Sequence, residues 1–125
     1  MIWAIALGGA AGTVARYLLT LAMQRASADF PFGTLLINVV GSFLIGFLAR
    51  LLSVPGDSPV LRAALTVGFC GGFTTFSTFS AEFVNLVQQG RVGRATLYVI
   101  VSVSVGIMAT MLGLALGNRL IDTHS

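Results

Sequence analysis

Four apolar runs, each long enough to cross a lipid bilayer, occupy most of this 125-residue sequence. They cover residues 2–23, 32–52, 60–87 and 95–116, and short polar segments separate them. A helix needs about 20 apolar residues to span the hydrocarbon core. Only 9% of the residues are charged, against about 25% in an ordinary soluble domain. The pattern predicts an all-α membrane protein, a single domain of four transmembrane helices over residues 1–125, with no room for a soluble catalytic domain.

The third run contains a segment that is out of place in lipid, GFCGGFTTFSTFSAE at residues 68–82. Three glycines precede a cluster of hydroxyl side chains, which comprises Thr74, Thr75, Ser77, Thr78 and Ser80. Irregular backbone at membrane depth is tolerated only where protein buries it or where it lines water. The run is also longer than the roughly 20 residues that a straight crossing requires. We therefore predict that the third helix is broken near Gly71 and Gly72, within the segment Gly71–Thr78.

The second run carries polar residues on one helical face. Thr34, Asn38 and Ser42 stand four residues apart, so a helix projects their side chains from the same side. Such a stripe either holds the helices together through interhelical hydrogen bonds or lines a permeation path. Because three polar groups follow one another on one face, we favour the second interpretation.

The first and fourth runs are interrupted by few polar residues. Arg16 lies well inside the first run, where a central arginine costs about 2.5 to 3.5 kcal/mol on insertion scales. Its side chain either snorkels toward the end of the span that holds Arg25 or faces a wet vestibule. In the fourth run, Tyr98, Ser102 and Thr110 recur at steps of four or eight residues. The fourth helix thus also presents a polar face.

The arginines do not favour either orientation in the membrane. Three fall on each side: Arg50, Arg62 and Arg119 on one, and Arg25, Arg91 and Arg94 on the other. Because an excess of Lys and Arg in the cytoplasmic loops normally sets the orientation, a balanced count predicts a chain that inserts both ways. Two opposed copies then form an antiparallel homodimer with a two-fold axis in the membrane plane, whereas the alternative is a single topology fixed by other factors. The scattered arginines form no basic stripe, so we expect no nucleic-acid binding.

The chemistry of the glycine- and hydroxyl-rich segment is not that of an enzyme. No Lys-Ser/Thr pair follows the glycines as in a phosphate loop, and the serines have no histidine within the membrane to act as a base. Glu82 is the only carboxylate within a span, which excludes a pair of acids for general acid and base work. What remains is recognition of a small anion by hydroxyls, amide N–H groups and the positive edges of aromatic rings. Phe76 and Phe79, three residues apart, share one side of a helix.

The segment GFCGGFTTFSTFSAE resembles the signature of the fluoride channels known as the Fluc or CrcB family. The resemblance extends across all four spans. It includes the glycine-rich first span with Arg16, the sequence GTLLIN at residues 33–38, and Tyr98 with Ser102 in the fourth span.

This resemblance implies a dual-topology homodimer in the bacterial inner membrane, with two antiparallel fluoride pores. Phe76 and Phe79 would present ring edges to the ion, and Asn38 would donate to it. The implied pore residues are Phe76, Phe79, Asn38, Ser77, Thr78, Thr34, Tyr98 and Ser102. The backbone carbonyls of Gly71 and Thr74 would hold a structural sodium ion (Na+) on the dimer axis. Arg16 would belong to the vestibule, and Glu82 matches the acid that follows the signature.

The function that we expect is passive export of cytoplasmic fluoride, with no energy source. The competing interpretation is a small multidrug-resistance-type exporter coupled to protons, which is also built from four short spans in a dual-topology dimer. Such a carrier needs an acid in the middle of a span, whereas Glu82 lies near the end of the third run. A structural membrane subunit is a third possibility, and it predicts no ion-specific flux.

Overall fold

The computed structural model describes residues 1–123, and all of its regular elements there are helices. His124 and Ser125, which the sequence analysis included in the domain, lie outside the described residues. The elements in chain order are α1 (Ile2–Ala22), α2 (Phe32–Leu51), α3 (Pro59–Ala63), a π-helical segment (Ala64–Cys70), α4 (Gly71–Phe73), α5 (Phe76–Gln88) and α6 (Val92–Thr123). Four helical stretches of this part of the chain are long and apolar enough to cross a membrane, and they cover Ile2–Ala22, Phe32–Leu51, Pro59–Gln88 and Val92–Thr123. The prediction of an all-α membrane protein with four spans is therefore confirmed.

α2 and α6 form the most extensive helix pair. A Cβ atom added to Gly46 of α2 would lie 2.3 Å from the Thr110 carbonyl oxygen of α6, so only glycine fits there. Thr110 in turn donates its hydroxyl to the Ser42 carbonyl at 3.0 Å. Small residues of this kind drive helix association in lipid, because they let the two backbones approach closely. This pair places the polar faces of the second and fourth spans side by side.

α1 packs against the first half of the third span. A Cβ atom on Gly12 would lie 2.1 Å from the Phe69 carbonyl oxygen, so the two backbones are in direct contact. α1 contacts mainly the π-helical segment, Ala64–Cys70, and also α4. π-helical turns are rare and often occur at functional sites. The sequence analysis did not predict this one.

The third span is broken at Thr74 and Thr75. Thr74 has φ −81° and ψ 157°, and Thr75 has φ −148° and ψ 115°, so both residues are extended. The Thr75 hydroxyl then accepts from the Thr78 amide at 3.1 Å and caps α5. The predicted break is thus confirmed within Gly71–Thr78, but it follows the two glycines rather than falling on them. Gly71 and Gly72 remain helical, and Gly72 serves packing, since a Cβ atom there would lie 2.5 Å from the Gly9 carbonyl oxygen of α1.

α6 is longer than the fourth span predicted from sequence, 95–116. It has 32 residues, and at about 1.5 Å per residue it is about 48 Å long. Because the hydrocarbon core is about 30 Å thick, its ends project into the polar zones. Arg50 of α2 donates to Asn118 near one end. At the other end, Arg94 donates to the Asp29 carbonyl at 3.2 Å.

Candidate functional site

The carboxamide of Asn38 holds the break in the third span from the side of α2. Its Nδ2 donates to the Thr75 carbonyl at 3.0 Å, and its Oδ1 accepts from the Thr75 amide at 2.8 Å. These two bonds replace the helical bonds that Thr75 loses when the backbone becomes extended. The sequence analysis gave Asn38 a role as an ion donor. In the structure, one of its two N–H groups serves the backbone of the break.

Arg16 holds the other side of the break, from α1. Its Nε donates to the Gly72 carbonyl at 3.1 Å, and the Thr13 hydroxyl makes a long contact of 3.5 Å with the same oxygen. Gly72 lies in the last helical turn before the break, where the helix dipole favours a positive charge. Neither interpretation offered for Arg16, snorkelling toward the Arg25 end or facing the vestibule, included this backbone partner.

The carbonyls of Gly71 and Thr74 are released from the helical ladder. In a continuous helix they would accept from the amides of Thr75 and Thr78. Those amides donate instead to Asn38 Oδ1 at 2.8 Å and to Thr75 Oγ1 at 3.1 Å. Neutral backbone oxygens are ligands suited to a hard cation such as Na+. The two carbonyls that the resemblance implies for sodium therefore have the chemistry and the freedom that such a site requires.

A cavity of about 410 Å³ opens beside the break, between α2, the third span and α6. Its lining includes Asn38, Thr74, Phe76, Phe79 and Ser102, and none of the described residues that line it is charged. The Ser102 hydroxyl is buried and has no hydrogen-bond partner among the described residues. An unsatisfied buried donor costs about 1 to 3 kcal/mol. A polar solute in this cavity would relieve that cost.

α5 turns a polar face outward. Phe76 at its start is 80% exposed, and its ring centroid lies 5.9 Å from that of the half-buried Phe79. Ser77, Thr78 and Glu82 share an open groove with Phe76 along this helix. Exposed hydroxyls at membrane depth need a partner other than lipid.

A second polar group lies one and a half turns further along α5. The Thr34 hydroxyl of α2 donates to Glu82 Oε1 at 2.5 Å. Tyr98 of α6 is fully buried, and its hydroxyl lies close enough to Thr34 and Glu82 to interact with both. The Tyr98 ring centroid is 5.0 Å from that of Phe79. Phe79 therefore connects the cavity beside the break to the group formed by Thr34, Glu82 and Tyr98.

The family model described as "CrcB-like protein, Camphor Resistance (CrcB)" matches residues 3–114, which include the break, the cavity and the Glu82 group. The chain belongs to the CrcB family. It is 44% identical to a "Fluoride-specific ion channel FluC" of Acidobacterium capsulatum, over 96% of this chain and 97% of the relative. Proteins of the same name from Agrobacterium fabrum and Pseudomonas aeruginosa are 45% and 46% identical, over 93% and 90% of this chain and 94% and 90% of the relatives. With four membrane-spanning helices, this CrcB protein is a multi-pass bacterial membrane protein.

Two residues of this CrcB protein contribute to the site although the sequence analysis did not single them out. A Cβ atom on Gly41 would lie 2.1 Å from Cγ2 of Thr74, so this glycine makes room for the break one turn after Asn38. Phe30, in the turn between α1 and α2, places its ring 5.6 Å from that of Tyr98. A signal for Phe30 was present, since it is a large apolar residue within an otherwise polar turn. For Gly41 on α2, the sequence signal was its spacing of three residues from Asn38.

Proposed function

We propose that this chain is a passive, fluoride-selective ion channel that works as an antiparallel homodimer with two pores. The observation that carries the proposal is the cavity beside the break, which offers hydroxyls, a carboxamide and phenylalanine rings but no charged side chain among its described lining residues. Relatives that match the chain over nearly its whole length carry the name "Fluoride-specific ion channel FluC", which agrees with this chemistry. We accordingly propose a channel rather than an enzyme.

Neutral donors suit the passage of an ion that holds its water tightly. Asn38, with its second N–H group, and Ser102, with its unpartnered hydroxyl, would replace part of the hydration shell. Phe76 and Phe79 would add the positive edges of their rings. Because conduction needs sites that an ion can leave as well as enter, the absence of a fixed positive charge among the described lining residues favours throughput over tight binding.

The ion would then pass along α5 from the cavity to the group at its far end. Ser77 and Thr78 lie in the open groove next to Phe76, and Thr34 and Tyr98 lie beyond Phe79. Fluoride moving along this track would stay in contact with hydroxyl groups. The membrane potential drives an anion outward, so the track needs no coupled energy source.

A second copy of the chain would cover the exposed polar face of α5. Phe76 is 80% exposed and the side chains of Ser77 and Ser80 are exposed beside it, although this helix belongs to a membrane span. Lipid offers these hydroxyls no hydrogen bonds. The even distribution of arginines between the two ends of the molecule supports insertion of the two copies in opposite orientations.

We further propose that Na+ plays a structural role at the break. The released carbonyls of Gly71 and Thr74 would hold it, and coordination of the cation would stabilise oxygens that have lost their amide partners. A sodium ion on the dimer axis would thereby tie together the breaks of the two copies.

Purified protein in liposomes tests the proposed function. Liposomes loaded with fluoride and made permeable to potassium with valinomycin are expected to release fluoride rapidly, and liposomes loaded with chloride are expected to release almost none. The competing exporter predicts exchange of protons for a cationic drug and no fluoride release. Glu82, which such an exporter would need in mid-span, lies six residues before the end of its span and bonds to Thr34. Drug-dependent proton exchange without fluoride efflux would overturn the proposal.

A further inference from the structure

The turn between α1 and α2 has a fixed geometry around Phe30. The Phe32 amide donates to the Phe30 carbonyl at 2.7 Å, and Pro31 between them has φ −76° and ψ 63°. These values define an inverse γ-turn, and the proline ring holds φ near the value that this turn needs. The direction in which the chain leaves Phe30 is therefore set by the sequence.

Contacts on both sides hold this turn against the rest of the molecule. The Asp29 carbonyl accepts from Arg94 Nη1 at 3.2 Å, and the Asp29 carboxylate lies 4.0 Å from Arg91 Nη1. On the other side of the turn, the Ser27 hydroxyl accepts from the Gly33 amide at 2.9 Å. The position of Phe30 is thus fixed by anchors before and after it in the chain.

The ring of Phe30 meets Tyr98 edge-on. The two centroids are 5.6 Å apart and the rings are inclined at 80°, a geometry that the charge distribution of aromatic rings favours. On its other side, Tyr98 packs against Phe79 at 5.0 Å, and Phe79 packs against Phe76 at 5.9 Å. A continuous row of rings therefore runs from the turn to the cavity beside the break.

Packing is what orients the Tyr98 ring. Tyr98 is fully buried and belongs to an apolar cluster that includes Phe30 and Phe79. Phe30 and Phe79 contact the two sides of the ring, whereas Thr34 and Glu82 lie near the hydroxyl at its tip, so the aromatic neighbours fix the direction of the ring plane. Loss of Phe30 would open space into which Tyr98 can turn, away from Phe79.

We infer that Phe30 is a positioning residue for the ion track: it fixes the Tyr98 ring and, through it, the ring of Phe79. This inference rests on the proposed function. Phe30 itself does not line the cavity beside the break, so its effect on flux passes through the two rings that it orients.

Phe32 provides a matched control on the other side of Pro31. Its ring is 47% exposed and contacts Phe30, with centroids 4.9 Å apart, but the structure shows no ring contact between Phe32 and Tyr98. Replacing either phenylalanine with leucine removes an aromatic ring and keeps most of the apolar volume. A purely structural role of the turn predicts similar effects for the two replacements, whereas the positioning role predicts an effect of Phe30→Leu alone.

The experiment uses the full chain in the Tyr17→Phe background, where Tyr98 is the only tyrosine. Labelling tyrosine with 13C at Cζ then gives one NMR signal, from Tyr98, in detergent or nanodiscs, and fluoride efflux from liposomes is measured on the same preparations. Phe30→Leu is expected to shift and broaden the Tyr98 signal and to slow efflux about two- to tenfold, the range that corresponds to one aromatic pair. Phe32→Leu is expected to leave both unchanged. Phe30→Tyr keeps the ring but adds a second tyrosine signal, so it is compared by efflux alone, and its efflux is expected to match that of the parent protein.

Three results would overturn the inference: an unshifted Tyr98 signal in Phe30→Leu, a shifted signal with unchanged efflux, or faster efflux, which would make Phe30 an obstruction. A parent protein without fluoride efflux would instead refute the proposed function. The Tyr98 signal separates the two failures, because it reports the contact between Phe30 and Tyr98 whether or not the protein conducts.

Discussion

The two halves of the third span have opposite characters. The half before the break, residues 59–73, is pressed against α1 so closely that a Cβ atom on Gly12 would lie 2.1 Å from the Phe69 carbonyl oxygen. The half after the break, α5, leaves Phe76 80% exposed and presents a groove with serine and threonine hydroxyls. One continuous stretch of sequence thus supplies a scaffold and then a surface with exposed polar groups. The break therefore separates these two tasks along the third span.

The largest effect is expected from the rings of the second half. Phe79→Ile and Phe76→Ile are each predicted to abolish fluoride efflux from liposomes, because isoleucine has no positive ring edge to offer an anion. Phe69→Ile is the matched change in the first half, where the ring stacks on Phe73 at 5.7 Å. It is expected to leave most of the efflux in place. Equal losses from the two halves would show that the break does not separate the tasks.

A large effect on stability is expected at the break between the two halves of the third span. Asn38→Leu removes the two bonds to the Thr75 amide and carbonyl, and each buried backbone group left unsatisfied costs about 1 to 3 kcal/mol. The variant is therefore predicted to unfold at a markedly lower temperature in detergent, as followed by loss of the folded protein peak on size-exclusion chromatography after heating. Asn38→Asp keeps the acceptor for the Thr75 amide and loses the donor, so its melting temperature should fall between those of the parent protein and of Asn38→Leu. A parent-like melting temperature for Asn38→Leu would contradict the role of Asn38 as a clamp.

A smaller effect is expected from the packing of the first half. Gly12→Ala forces the added methyl group against a backbone carbonyl, and overpacking of this kind costs about 1 to 3 kcal/mol. Gly93, at the start of α6, has nothing within 4 Å of an added Cβ atom, so Gly93→Ala should leave stability unchanged or slightly higher. Thermal unfolding in detergent measures both. If Gly12→Ala changed the ratio of fluoride to chloride efflux without lowering stability, the first half of the third span would contribute to ion selectivity as well as to packing.

Sequence reasoning reached the architecture because hydropathy and length constrain a membrane helix more strongly than they constrain any soluble element. It found the broken third span from its excess length and its hydroxyls, but it placed the break at the glycines. The structure keeps Gly71 and Gly72 helical and breaks at Thr74 and Thr75, because the side chains that stabilise an extended backbone come from Asn38 and Thr75 itself. The position of a break depends on such partners across helices, and spacing along one helix does not reveal them.

The candidate site shows the same limit. Thr34, Asn38, Phe79 and Tyr98 were identified from their spacing along the helices and from the resemblance to a known family, and the structure brings them together around α5. Phe30 stands out as a large apolar residue in a turn, but it was missed because no periodic spacing links a turn residue to Tyr98, and only the fold brings the two together. The sequence left the environment of Arg16 open between lipid and water, whereas in the structure the guanidinium bonds to a backbone carbonyl. Contacts between a side chain and the backbone of another helix have no sequence pattern of their own.

The smallest effect is expected at Arg16, and it distinguishes two ways in which this residue could act. If Arg16 works through its bond to the Gly72 carbonyl, Arg16→Gln removes a charge at a helix C-terminus and lowers stability by about 1 kcal/mol. Any accompanying loss of fluoride efflux should then be the same at low and high ionic strength, since it arises from the backbone at the break. If Arg16 instead attracts anions through its field, efflux of the parent protein should exceed that of Arg16→Gln mainly at low salt, because the Debye length falls from about 30 Å at 0.01 M to about 3 Å at 1 M. Efflux measured across that range of impermeant salt, with thermal unfolding in parallel, decides whether this arginine belongs to the scaffold of the first half or to the ion path of the second.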